Sequence, residues 1–246
     1  MAALIAFDTA TERMTVALRA PDGRVGSRQS EGGAKASTTL LPAILGLLHD
    51  AGLRLADLDA ICFGRGPGAF TGLRTACSVA QGLAFGAGKP VLPIDSLLAV
   101  AEAARQGAPS YRVWTVIDAR MAQIYAAEYE FVDGAWRTVT APLLADCEVL
   151  AARWRERPPE ALAGNALRVF ADRLPTRGAT LVPDSAPGPL AWLALAEAAW
   201  GRGEAVDPAL ALPLYVRDKV AQTTLERDAA RAERAEAPLS GTRFAP

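Results

Sequence analysis

Residues 64–74, with the sequence GRGPGAFTGLR, place four glycines and a proline between two segments of regular pattern. The apolar run 60–63 predicts a buried strand, and the pattern from 71 to 85 predicts a helix. Glycine loses more conformational freedom than any other residue on folding, so this junction specifies a tight backbone shape. Amides beside a helix N-terminus can hold an anion, but the Lys-Ser/Thr ending of a P-loop is missing. We interpret the stretch as a rigid turn that sets the following helix at an angle facing a binding partner. Turn geometry alone, without any contact surface, is the alternative that stays open.

The first 107 residues predict the order β-β-β-α-β-α-β-α from the period of their apolar positions. We expect strands at 4–7, 14–18, 24–31, 60–63 and 91–94, and helices at 37–50, 71–85 and 96–105. The second half predicts the same order with little sequence identity to the first. We expect its strands at 111–117, 124–132, 136–140, 161–163 and 179–182, and its helices at 146–155, 167–174 and 188–201.

The two copies predict an α/β fold of two lobes, each a βββαβαβα unit, which is the plan of the actin, Hsp70 and sugar-kinase ATPases. We expect an N-terminal lobe at 1–107, a C-terminal lobe at 108–217 and a charged, flexible tail at 218–246. Asp8 and Asp118 end the first strand of each copy, where that fold faces a nucleotide cleft. The analogy concerns the fold and does not establish ATP hydrolysis.

Composition narrows the function classes. The formal net charge of −1 gives no overall attraction to nucleic acid or to an anionic membrane. The three cysteines, Cys62, Cys77 and Cys147, form no CxxC pair and are expected as buried, reduced thiols. The single histidine, His49, leaves no histidine-based metal site or catalytic triad. With no signal-peptide pattern and no membrane-length apolar run, we expect a cytoplasmic protein without a membrane partner.

The glycine-rich stretch resembles the GRGPGSFTGLR signature of the TsaB (YeaZ) family. Five further elements occur in that family's order over residues 1–217. They are the first strand and loop at 5–11, the Leu-Leu-Pro tripeptide at 40–42, the Gly-Leu-Ala of the second helix at 82–84, the Asp-Ala-Arg element at 118–120 followed by 124–125, and the ending at 213–217.

This resemblance implies a non-catalytic subunit of the bacterial machinery that forms N6-threonylcarbamoyladenosine next to the tRNA anticodon. It implies pairing with the catalytic paralogue TsaD, an assembly that includes the ATPase TsaE, a homodimer when isolated, and tRNA contact only through the complex. TsaD holds its metal with two histidines at the start of the first helix, whereas residues 35–39 of this chain contain none. We therefore expect no catalytic residue, no metal and no cofactor.

Two sets of candidate site residues follow. The two helices at 37–50 and 71–85 carry more apolar and small residues than one buried face requires, and the resemblance implies a helical dimer interface there. The expected partner-binding residues are Leu41, Ile44, Leu45, Leu48, Gly66, Pro67, Gly68, Thr71, Arg74 and Ala80. The second set is a vestigial cleft of Asp8, Thr9 and Asp118.

The residues of the predicted cleft leave an enzymatic function open as an alternative. Asp8 and Asp118 suit a hydrated magnesium ion, as in the related ATPases, but the loops after them lack the glycine that lets a phosphate approach. A small-molecule kinase or carbamoyltransferase of the same fold would need two complete phosphate loops. A stand-alone homodimeric binding protein is the other alternative, and pairing with TsaD would exclude it.

Overall fold

The computed structural model describes residues 1–217 and shows two five-stranded sheets. The first half contains β1 (Leu4–Asp8), β2 (Arg13–Arg19), β3 (Val25–Glu31), α1 (Ala36–Ala51), β4 (Ala60–Gly66), α2 (Phe70–Ala87), β5 (Val91–Asp95) and α3 (Ser96–Arg105). The second half contains β6 (Tyr111–Asp118), β7 (Gln123–Val132), β8 (Ala135–Asp146), α4 (Cys147–Glu156), β9 (Ala161–Ala163), α5 (Ala166–Val169), β10 (Thr180–Val182) and α6 (Pro189–Gly201). Short 3₁₀ helices lie at Gly33–Lys35, Leu55–Asp57 and Pro208–Leu210.

Sheet topology confirms the predicted duplication. The strand order is β3-β2-β1-β4-β5 in one sheet and β10-β9-β6-β7-β8 in the other, which is the same order in reverse. In both sheets the first three strands form an antiparallel meander, and the last two run parallel to the first. The α/β fold of two duplicated units is therefore confirmed, with Asp8 and Asp118 at the ends of the equivalent strands β1 and β6.

The strand β1 explains how the layers are stacked. Ile5 and Phe7 pack with α1 and α2 on one face of the sheet, whereas Leu4 and Ala6 pack with α6 on the other. Because both faces are covered, the strand is apolar throughout rather than alternating. The helix α3 packs on the inner face of the second sheet, and α4 and α5 cover its outer face. The helices α3 and α6 thus lie between the two sheets.

The segment after residue 188 returns to the first sheet, although we expected it in the second lobe. The helix α6 packs against β1 and β2, and Val206 forms a bridge with Val91. The Gln81 side chain donates hydrogen bonds of 3.1 Å to the carbonyls of Pro208 and Ala211. A lobe boundary at residue 107 divides the two sheets. It does not divide the helices, because α6 follows that boundary in sequence but packs against the first sheet. Residues Met1–Val216 form one compact unit; the predicted tail at 218–246 lies outside the described residues.

Three elements differ from their predicted bounds by three or more residues at one end. The strand β4 continues into the glycine stretch as far as Gly66, and β8 has 12 residues where we expected five. The helix α5 covers only Ala166–Val169, although Phe170 and Leu174 are buried as their helical spacing predicts. Residues 170–174 follow α5 as hydrogen-bonded turns, which bury the same side chains without a regular helix.

Candidate functional site

The glycines of residues 64–74 make room for the turn at residues 8–10 that follows β1. Three of them lie so close to that turn that a Cβ atom has no space. A Cβ would lie 1.9 Å from the Asp8 carboxylate at Gly64, 2.4 Å from the Ala10 carbonyl oxygen at Gly68, and 2.0 Å from the Thr9 carbonyl oxygen at Gly72. The glycine motif is therefore required by packing within the chain.

Backbone amides and carbonyls of the junction also form hydrogen bonds within the chain. The Ala69 amide, which begins the turn into α2, donates to the Ala10 carbonyl at 2.9 Å. The Thr9 hydroxyl donates to the Gly72 carbonyl at 2.7 Å. Gly66 has a φ of +108°, a conformation that favours glycine, and the bond to Pro67 is cis. These contacts fix a rigid turn, as we expected, and the Ala69 amide is not available to an anion.

Asp8 lies buried at the end of β1, among hydrogen-bond donors of its own chain. The Ser96 hydroxyl donates to one carboxylate oxygen at 3.0 Å, and the Ala10 amide donates to the other at 3.1 Å. Burial raises the pKa of Asp8 from 3.8 to about 6, and the two hydrogen bonds oppose that rise. The side chain is 1% exposed, so it joins β1 to the start of α3 in the protein interior.

Asp118, at the equivalent place on β6, is held by Arg120. The Arg120 amide donates to one Asp118 carboxylate oxygen at 2.9 Å, and its guanidinium donates to the other at 3.3 Å. The same guanidinium pairs with Glu12 at 2.6 Å. Arg120 thus links the loop after β1 to the loop after β6, between the two halves of the predicted cleft.

The loop that carries Arg120 has an unusual backbone. Arg120, Met121 and Ala122 have φ angles of 63°, 54° and 58°, in the left-handed region that non-glycine residues seldom adopt. The Asp118 amide donates to the Asn165 side chain at 2.9 Å, which holds the end of β6 beside the loop. The Ala119 amide donates to the Gln123 carbonyl at 2.9 Å and closes the loop, from which Arg120 pairs with Glu12.

The predicted partner-binding residues divide into buried and exposed groups. Ile44 and Ala80 are fully buried, and Leu48 is 3% exposed, because α1 and α2 pack these positions onto the first sheet. Gly66 and Pro67 are also buried, and Gly68 is half-buried. The exposed members of the predicted set are Leu41, Leu45, Thr71 and Arg74.

Further exposed residues on α2 extend this surface. Phe85 is 60% exposed, and a Cβ added at Gly82 or Gly86 would have no neighbour within 4 Å. We use the name "α1/α2 face" for the solvent side of the two helices, formed by Leu41, Leu45, Thr71, Arg74, Gly82, Phe85 and Gly86. The helical spacing from Thr71 through Ser78 to Phe85 could have identified Phe85 from sequence, since the three residues share one side of the helix.

Arg74 forms an aromatic cluster with a residue far away in sequence. Its guanidinium carbon lies 3.9 Å from the centre of the Phe70 ring, and its Nε donates to the Tyr215 hydroxyl at 3.0 Å. A surface groove of about 500 Å³ runs beside it. The groove is lined by Phe70, Thr71, Arg74, Thr75, Ser78 and Val79.

Neither a metal-binding cluster of side chains nor a membrane-spanning helix occurs among the described residues. Within residues 1–217, no group of three or more His, Cys, Asp or Glu side chains could hold a metal ion. None of the helices described is both long and apolar enough to cross a membrane.

Comparison with known proteins identifies relatives over most of the chain. A family model described as TsaD, tRNA N6-adenosine threonylcarbamoyltransferase, matches residues 31–167. The tRNA threonylcarbamoyladenosine biosynthesis protein TsaB of Escherichia coli K12 is 32% identical over 222 residues, covering 89% of this chain and 96% of that protein. The protein of the same name from Haemophilus influenzae is 42% identical over 127 residues, covering 51% of this chain and 52% of that protein.

A solved structure agrees with these sequence comparisons. The structure of YeaZ from Pseudomonas aeruginosa matches with a TM-score of 0.78 at 38% identity. The match covers 87% of this chain and all of that one.

Because Gly72 lies so close to Thr9, we expect alanine to have opposite effects on stability at Gly72 and at Gly82 of the same helix. We expect Gly72→Ala to lower the free energy of unfolding by about 1–3 kcal/mol, because the new methyl group meets a backbone oxygen. Gly82→Ala is the matched control and should raise it by up to about 1 kcal/mol, since alanine favours the helix and nothing obstructs it. Urea denaturation measures both, and equal stability of the two variants would contradict this packing.

The buried Asp8 predicts a pH dependence of stability. The folded-state pKa of about 6 exceeds the ordinary 3.8. The stabilisation that the protonated Asp8 carboxyl gives to the folded state is therefore complete below about pH 4 and is lost as the pH rises through 6. The shift corresponds to about 3 kcal/mol. We expect Asp8→Asn to remove this decline from the free energy of unfolding between pH 4 and 6, measured by urea denaturation.

The control for Asp8 is Asp22→Asn. Arg24 lowers the pKa of the exposed Asp22, so that group loses its contribution only at more acidic pH. The control should therefore keep the wild-type decline. An Asp8→Asn curve parallel to that of the wild type between pH 4 and 6 would show that the carboxyl titrates normally.

Proposed function

This chain belongs to the TsaB (YeaZ) family, and from that membership we propose that it is a non-catalytic subunit in tRNA threonylcarbamoyladenosine biosynthesis. It pairs with a TsaD-like catalytic subunit, and a TsaE-like ATPase joins the assembly. It contacts tRNA only as part of the complex, which accords with its net charge of −1. Because tRNA modification in bacteria takes place in the cytoplasm, the protein works there.

The non-catalytic role is supported by what occupies the cleft. Asp8 is buried and bonded within its own lobe, and Arg120 holds Asp118 while pairing with Glu12. A catalytic carboxylate has to reach the substrate, and neither of these is free to do so in the described structure. Residues 35–39 offer hydroxyls and one lysine where the catalytic paralogue has histidines, and hydroxyls bind transition metals poorly. We infer that the cleft of Asp8, Thr9 and Asp118 is vestigial.

The observation that carries the pairing proposal is the composition of the α1/α2 face. Leu41 and Leu45 lie one turn apart on α1 and are 41% and 49% exposed, and Phe85 on α2 is 60% exposed. Both helices cover the same face of the first sheet, so their solvent sides point the same way. Exposed apolar side chains grouped in this way are typical of a protein interface.

Two solvent-facing glycines of α2, Gly82 and Gly86, are further evidence that the α1/α2 face is an interface. Glycine within a helix costs about 1 kcal/mol relative to alanine. A Cβ atom at Gly82 or Gly86 would have no neighbour within 4 Å, so packing inside the chain does not require glycine at either position. Their lack of side chains lets a partner helix approach closely. The isolated chain is expected to pair with itself through this same face.

With the α1/α2 face as the interface, we expect a charged residue at one of its exposed apolar positions to weaken pairing without unfolding the chain. Leu45→Glu and Phe85→Glu should each weaken binding to the organism's TsaD-like subunit at least about tenfold, because a carboxylate would be buried in the interface. Isothermal titration calorimetry measures the affinity, and thermal unfolding shows that both variants fold.

Val149→Glu is the matched control. Val149 is 54% exposed on α4, in the outer helical layer of the other sheet, so the same type of substitution there should leave the affinity unchanged. Wild-type affinity in both the Leu45 and the Phe85 variants would exclude this face as the interface.

A further inference from the structure

Arg74 is held in one position on the α1/α2 face by contacts of two kinds. Its guanidinium stacks on the Phe70 ring at 3.9 Å, and its Nε donates to Tyr215 at 3.0 Å. The two rings lie 5.4 Å apart, so they support each other as well as the arginine. An arginine fixed in this way loses little further conformational freedom when it binds a ligand.

The charge of Arg74 has no carboxylate partner among residues 1–217, since none lies within 4.0 Å of its nitrogens. The helix α2 contains no Asp or Glu, and α1 contains only Asp50, which pairs with Arg28 at 2.7 Å. The Nε is used by Tyr215, which leaves the two terminal nitrogens of an exposed guanidinium. These nitrogens form a planar fork that fits the two oxygens of a carboxylate.

The groove beside Arg74 is lined mostly by apolar surface with a few polar groups, so it suits a side chain that has an apolar stem and a charged end. Thr71 and Ser78 line it with hydroxyls that can donate to carboxylate oxygens, whereas the Thr75 hydroxyl already donates to the Thr71 carbonyl at 3.0 Å. Phe70 and Val79 add apolar surface at its sides. An acidic residue on a helix of the partner would place its stem against the apolar surface and its charge at Arg74.

We propose that Arg74 binds an Asp or Glu carboxylate of the catalytic subunit and thereby selects that subunit over a second copy of this chain. This inference rests on the proposed function. In a two-fold symmetric self-pair, the same face is present on both sides. That face has no unpaired carboxylate on α1 or α2, so in a self-pair these two helices of the second copy offer Arg74 no counterion. A partner that supplies the carboxylate gains a charged, directional contact that the self-pair lacks.

Charge reversal at Arg74 tests the inference. Arg74→Glu should weaken binding to the TsaD-like subunit at least about tenfold in calorimetry at low salt, since the partner carboxylate would face another carboxylate. Arg74→Lys should weaken it about threefold or more, because it keeps the charge but loses the fork and the stacking. Self-association of the isolated variants, measured by sedimentation velocity, should stay within about twofold of the wild type.

Two controls make the result specific. Arg155→Glu reverses the charge of an exposed arginine on α4 and should change neither affinity. Asp218→Asn removes a carboxylate of this chain three residues after Tyr215, outside the described residues, and should also leave pairing intact. If Asp218→Asn matches the loss seen with Arg74→Glu, Arg74 serves a contact within its own chain and the inference is wrong.

The remaining outcomes separate this inference from the proposed function. Wild-type binding of the catalytic subunit by Arg74→Glu, or an equal loss of hetero- and self-association, overturns the selective role of Arg74 and leaves the pairing intact. Failure of the wild-type chain to bind that subunit at all overturns the proposed function, and this inference with it.

Discussion

The contact between the backbone of residues 64–72 and the turn at residues 8–10 determines where the main elements of the first lobe lie. Gly72 on α2 meets the Thr9 carbonyl, and the Thr9 hydroxyl donates back to the Gly72 carbonyl at 2.7 Å. Any side chain at that glycine would push α2 away from β1. The turn therefore sets the position of α2 on the sheet, and with it the direction in which the α1/α2 face meets solvent. A motif that suggests an anion site from its composition is explained by packing between backbone segments.

The two copies of the repeat differ in ways that bear on function. In the second copy, β9 and β10 have three residues each, and α5 has four where the equivalent α2 has 18. Long paired helices therefore cover the outer face of the first sheet only. The second copy supplies α6 instead, whose Trp192 and Leu193 fill the layer between the sheets. We infer that the first copy presents the partner surface and the second copy supports it.

The sequence predicted the topology because each strand and helix leaves a periodic pattern in its own residues. The duplication followed from that order, and the sheets confirm it. Contacts between residues far apart in sequence leave no periodic pattern in the residues that make them, so they were not predicted. The bond between Arg74 and Tyr215 joins residues 141 positions apart, and α6 returns to the first sheet although its sequence suggests only an apolar helix. Spacing also did not show that Ile44 and Ala80 are core residues, because a helix covered on two sides has apolar positions that do not reach solvent.

The most direct test of the central claim is formation of threonylcarbamoyladenosine on tRNA from purified components, measured by mass spectrometry of the digested tRNA. The reaction contains the TsaD-like and TsaE-like subunits, ATP and threonylcarbamoyl-adenylate, with or without this chain. The account predicts modified tRNA only when the chain is present, and none when it replaces the catalytic subunit. Equal modification without the chain, or modification by the chain in place of the catalytic subunit, would contradict a required, non-catalytic role.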